Sequence, residues 1–203
     1  MKKNLYFVFI AASFALLAAA PGRLAYGLPL IIELNLLASG AAAFNSLAKK
    51  LELDALQEIL SLAFIVFLAA LFKQALILFS PVLALVLGFA IYLPAASAFL
   101  LGSVFSSPAP SLSEQAKGAA RFSAFALFFF LLRDVLGYGA ISLPSPNGIK
   151  EAVLFDIQSA PPLSFFATIP GAILILALCM ALLLAAQSRF NALEKSEAAD
   201  END

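Results

Sequence analysis

Residues 59–79 and 82–105 form two apolar runs, ILSLAFIVFLAALFKQALILF and VLALVLGFAIYLPAASAFLLGSVF, in which Lys73 is the only charged residue. Runs of that length have few destinations. Crossing a bilayer core of ~30 Å takes about 20 apolar residues, and a chain in lipid must satisfy its backbone polar groups internally, as helices do. The same test applied to the whole chain finds about six windows: Leu5 to Ala20, Leu28 to Leu47, Ile59 to Phe79, Val82 to Phe105, Phe122 to Leu136 and Phe165 to Gln187. The first and fifth are short, which suits tilted or broken helices. With 63% hydrophobic and 12% charged residues, against about 25% charged in soluble domains, the chain reads as an all-α polytopic membrane protein.

Pro94 interrupts the fourth window and is followed by Ala95, Ala96 and Ser97. A proline removes a backbone donor and crowds the preceding turn, so inside a membrane it marks a place where neighbouring protein or water repairs the helix. Pro21, at the end of the first window, is a second such break.

The stretches between windows carry no separate domain. KKLELDALQE (49–58) is charged and SSPAPSLSEQAKGAAR (106–121) is rich in Ser and Pro. SLPSPNGIKEAVLFDIQSAPP (142–162) combines turn residues with an amphipathic piece, AVLFDI, suited to the membrane surface. Residues 1–190 therefore read as a single transmembrane domain, and 191–203 as an acidic, disordered cytoplasmic tail. With the amino terminus cytoplasmic, that side collects Lys2, Lys3, Lys49, Lys50, Lys117, Arg121, Arg189 and Lys195, whereas the far side has Arg23, Lys150 and Arg133. This bias puts both termini inside. The opening segment, MKKNLYFVFIAASFALLAAAPG, also fits a secretory signal, but cleavage after Ala20 would leave Pro21 at the new terminus, so it reads as a retained first span.

The chain has no histidine and a net charge of -1. Imidazole bases and ligands are thus excluded, and the charge balance gives no nucleic-acid footprint. Cys179 lies alone in ILILALCMALLLAA, where it reads as an inert lipid-facing or packing thiol. No phosphate-cradling, metal-ligand or nucleophilic motif is present, so no catalytic, cofactor-binding or metal residues are assigned. What remains is ionisable groups in apolar spans, each costing about 2.5 to 3.5 kcal/mol at a helix centre unless it faces protein or water. Glu33 with Asn35 lies in LPLIIELNLLASG, and Lys73 with Gln74 in LAALFKQALILF; Glu33 and Lys73 have the charges to pair across helices. Lys73 reaching toward the span end at Phe79, with Glu33 one helical turn from an interface, is the plainer alternative. Arg133 and Asp134 close the strongly apolar FALFFFLLRDVL (125–136), ahead of Gly137 and Gly139. Capping the carbonyls of its own helix accounts for Arg133 but leaves Asp134 unexplained.

Arg133-Asp134-Val135-Leu136-Gly137-Tyr138-Gly139 resembles the Arg-Glu-x-x-Gly-x-Gly segment of the membrane subunits shared by Rnf and Na+-translocating NADH:quinone oxidoreductase (Nqr) complexes, in the NqrD/RnfE branch. Leu87-Gly88 through Gly102 resembles that family's Leu-Gly-apolar-Pro-apolar-Thr-Asn-Cys-apolar-Gly stretch. Pro161-Pro162 followed by Ile169-Pro170-Gly171-Ala172 resembles its Pro-Pro-Gly-Ala approach to the last helix. The resemblance covers residues 59–195, more weakly 5–58, and rests on the order and spacing of these motifs. It implies six helices in two inverted three-helix repeats with broken first and fourth helices. It also implies a 2Fe–2S cluster shared between two facing subunits through cysteines in those broken helices.

Here the sequence departs from the family. Ala98 stands at the fourth-helix cysteine, with Ala96 and Ser97 in place of Thr and Asn, and Ala18-Ala19-Ala20-Pro21 matches Gly-Leu-Cys-Pro in the first helix. Methyl groups cannot ligate iron, so no cofactor is expected on this chain. The family proline of the fourth helix falls two residues before Pro94. The leading expectation is a non-redox paralogue: at most a subunit of an NADH- or ferredoxin-linked ion translocase, partnered by other membrane subunits in the bacterial inner membrane. A stand-alone carrier or channel on the same scaffold, and a structural or assembly factor, are the alternatives.

Overall fold

Prolines decide where several of the helices start. In a computed structural model, which describes residues 14–51, 56–104, 112–155, 161–182 and 185, a single turn of π-helix, Phe14–Ala18, ends just before Pro21. α1 then runs Leu24–Lys50, and α2 Gln57–Phe79. Pro81 opens α3, Pro81–Leu87, where its missing N–H is one that a helix start leaves unpaired anyway, and the Ser80 hydroxyl accepts from Leu83 N. A 3-10 stretch, Gly88–Tyr92, leads into α4, Leu93–Val104. α5 covers Leu112–Tyr138, a hairpin pairs β1 (Ala140–Ser145) with β2 (Gly148–Val153), and a second 3-10 turn, Pro161–Ala167, precedes α6, Ile169–Leu182.

α1 is the central element. It packs against α5, α4, α2 and β1, and its Leu30, Leu34 and Leu37 join Phe122, Phe129 and Phe130 of α5 in a core that also takes in Leu16, Leu17 and α6 residues Ala172, Ile175 and Leu176. Half of the most apolar window of α1 is buried against protein, but only 17% of that of α2. The outer face of α2, with Ile59, Val66, Phe67 and Leu78, is therefore the one that fits lipid. After α2 the chain doubles back, so that 88–92 and α4 lie along α2.

Three helices among the described residues are long and apolar enough to cross a membrane: Leu24–Ala48, Ile59–Phe79 and Pro81–Ala98, the last passing through the 3-10 stretch. The other windows are changed in form. Phe122 to Leu136 lies inside the longer α5, whose apolar half also holds Arg121, Arg133 and Asp134. That helix starts ten residues earlier because the helix formers of LSEQAKGAAR, within the polar stretch 106–121, extend it. α6 is described over 14 residues, about 21 Å of rise. Most of Leu5 to Ala20, and the whole tail 191–203, lie outside the described residues.

The all-α expectation needs a correction at 140–153, where a two-stranded antiparallel sheet forms. Ser145 pairs with Gly148 across Pro146-Asn147. Pro146 holds φ negative, which rules out the mirror-image hairpin turns, and Gly148 supplies the positive φ, 119°, that closes the loop. Pro144 is tolerated because each strand of a two-stranded ribbon has an unpaired edge. Within AVLFDI, Ala152 and Val153 complete β2 and the amides of Leu154 and Phe155 both donate to Gly139 O, while residues 156 and 157 lie outside the described residues.

Candidate functional site

The break between Phe14–Ala18 and α1 leaves two raw helix ends facing each other, carbonyls on one side and amides on the other. Each unpaired group would cost several kcal/mol at membrane depth. Arg133 and Asp134 answer both. The Arg133 side chain, 1% exposed, has Nη1 2.8 Å from Ala20 O and 3.4 Å from Leu17 O, at the carbonyl end. Its Nη2 donates to Ala167 O (3.1 Å) and Thr168 O (3.4 Å), and its Nε to Phe166 O (3.4 Å), at the end of the second 3-10 turn. Five donors thus meet five carbonyls, two sets of helix-end oxygens whose partial negative charge balances the guanidinium.

Asp134 serves the amide end. Its Oδ2 accepts from Leu24 N (3.3 Å), Ser142 N (2.7 Å) and Ser142 Oγ (2.6 Å), while Ser142 Oγ accepts from Ala25 N (3.0 Å). The first two amides of α1 are therefore capped by side chains of α5 and β1, while that of Tyr26 donates to Arg23 O. Arg133 does not cap its own helix, which continues to Tyr138. Ser142 went unnoticed in the sequence, where nothing marks one serine of a loop as a partner for residue 25. Towards the exposed side, Arg23 pairs with Glu151 and stands 4.5 Å above the Tyr138 ring.

Close packing holds the clasp in place. A Cβ on Gly22 would sit 2.8 Å from Arg133 Nε, and one on Gly137 2.7 Å from Ala167 N, so both positions need hydrogen. Beside the clasp lies a half-open cavity of about 320 Å³, lined by Ala19–Gly22, Val86–Ala90, Arg133, Tyr138 and Ala167–Ile169. The second interruption faces it. Helical geometry lapses at Gly88 (φ 50°) through Tyr92, and Pro94 is the second residue of α4, where proline is at ease.

Ala20 and Ala98 are both buried, at 1% and 2% exposure, in the one core where Phe14–Ala18 packs on α4. Neither methyl offers a donor, so these positions do not fit an iron–sulfur cluster. Cys179 is a buried free thiol in the same core.

The remaining polar residues stand apart from the clasp. Asn35 Nδ2 donates to Ile31 O (2.8 Å) and to Ser123 Oγ (2.7 Å), tying α1 to α5. Lys73 lies with its ammonium 5.3 Å from the Tyr92 ring centroid and makes no ion pair with Glu33. Glu33 is fully buried, and neither carboxylate oxygen has a hydrogen-bond partner among the described residues.

The fold and the clasp define a predominantly helical protein with three potential membrane-crossing helices and a discontinuous helix sealed by an Arg–Asp pair. The chain matches no protein-family model, no curated protein and no solved structure.

Proposed function

We propose that this protein is an integral membrane subunit of an Rnf/Nqr-type ion-translocating electron-transport complex, a non-redox member that holds no cluster of its own. In this reading it sits in the bacterial cytoplasmic membrane with both termini inside, and its helices form two inverted three-helix repeats. One observation carries the reading: the scattered segments of the resemblance meet at one place. Ala18–Pro21, Leu87-Gly88, Arg133–Gly139 and residues 166–169 of the approach to the last helix border the clasp or the cavity beside it. Segments that had drifted into likeness by apolar composition alone would have no reason to converge.

In this reading Ala20 and Ala98, standing where the family has thiols, leave the chain a scaffold and docking role beside redox partners. Purification in mild detergent, with mass spectrometry of bound partners and iron analysis, tests this. Co-purifying Rnf- or Nqr-type subunits, with no iron attributable to this chain, is the expected result. A chain that purifies alone and conducts ions or solutes in vesicles would replace this reading with that of a stand-alone carrier.

A further inference from the structure

Glu33 is the one buried carboxylate whose two oxygens are both without a partner among the described residues. It lies nine residues into α1 from Leu24, about 14 Å along the axis, inside a membrane-crossing helix. Charged side chains at such depth are normally paired or face water. The elements packed on α1 offer no described cation for it. α4 and β1 contain no charged residue. On α2, Lys73 lies over Tyr92. On α5, Arg121 is exposed, Arg133 has five carbonyl acceptors, Asp134 is itself acidic and engaged at the break, and Tyr138 lies under Arg23. Within α1, Tyr26 is a neutral phenol and Lys50 is at the far, exposed end.

We propose that Glu33 is a reversible proton-binding site in the membrane interior: a carboxyl that takes up and gives up a proton without a fixed counter-charge. A proton is the ligand that the surroundings fit, because among the described residues neither carboxylate oxygen has a hydrogen-bond partner and no cluster of three acidic or thiol side chains forms, whereas a metal cation such as Na+ needs a shell of several oxygens. The proposal is independent of the Rnf/Nqr reading, since a stand-alone protein would have the same site.

The test uses the full-length protein in lipid nanodiscs, treated with dicyclohexylcarbodiimide or with a water-soluble carbodiimide and read by peptide mass spectrometry. A protonated carboxyl adds through its oxygen to the carbodiimide carbon, its proton passing to a carbodiimide nitrogen. An acyl shift to nitrogen then leaves a stable adduct. Glu33 is expected to be modified at least tenfold faster by the hydrophobic reagent, at a rate that falls as pH rises and does not respond to Na+ at fixed pH. The Glu33→Gln variant should lack that adduct and melt within a few degrees of the unmodified protein. Three results would each overturn the proposal: no adduct in folded protein while the denatured control reacts, a rate flat between pH 5 and 10, or protection by Na+.

Discussion

Arg133 and Asp134 are adjacent, yet they serve opposite sides of a gap, because successive side chains on a helix point about 100° apart. The two roles differ in what a substitution leaves behind. Arg133→Met removes the positive charge and strands buried carbonyls of Leu17, Ala20 and 166–168. It is expected to lower stability by about 3 to 5 kcal/mol. Arg133→Lys keeps the charge but not the planar fork that spans both carbonyl sets, and about 2 kcal/mol should still be lost. For Asp134, only Oδ2 is engaged and Oδ1 has no partner among the described residues. Asparagine can therefore present its oxygen to Ser142 and Leu24 and turn its amide to the vacant side. Asp134→Asn should cost about 1 kcal/mol and Asp134→Ala about 2 to 3 kcal/mol. Thermal unfolding in one detergent, compared across the four variants, ranks them; an Asp134→Asn protein as unstable as Asp134→Ala would refute the single-oxygen account.

The hairpin behaves as part of the helix break rather than as an appendage, since Ser142 is the hinge between Asp134 and the second amide of α1. Ser142→Ala should cost about 1 to 2 kcal/mol by leaving Ala25 N unpaired. Combined with Asp134→Ala, the two losses should fall short of additive by about 0.5 kcal/mol or more, the signature of a shared network. A strictly additive cycle would mean that Ser142 and Asp134 cap α1 independently. Gly139 makes the same joint at the end of α5, with φ 66° and its carbonyl accepting from Leu154 and Phe155. Helices such as α1 and α2 were readable from the sequence because the demand for a long apolar run is local. The hairpin was not, because Pro144 and Pro146 argue against strands unless the sheet has only edges. The Arg133–Asp134 pair was visible as unusual, but its purpose depends on a break more than 100 residues away. Glu33 and Lys73 illustrate the converse: complementary charges in neighbouring spans that do not pair, Lys73 lying over the Tyr92 ring instead.

On the scale of the whole molecule, the clasp, the hairpin and the Arg23–Glu151 pair gather at one end of α1, and Lys50 and Leu51 lie at the other, about 40 Å away along 27 residues. In the proposed orientation, which rests on the Lys and Arg bias of the loops, the clasp end lies outside. Placing it there would expose the exit of the break, and the cavity between the two interruptions, to the far side rather than to the cytoplasm. Thiol labelling in intact cells tests that orientation. A Cys179→Ala background removes the one native thiol. Into it go Asn147→Cys, at the exposed hairpin turn, and Leu51→Cys, 59% exposed past the end of α1. A membrane-impermeant maleimide should modify the Asn147→Cys protein without permeabilisation and the Leu51→Cys protein only after it. The reversed pattern would turn the molecule over, and labelling of both from outside would mean that α1 does not cross the membrane at all.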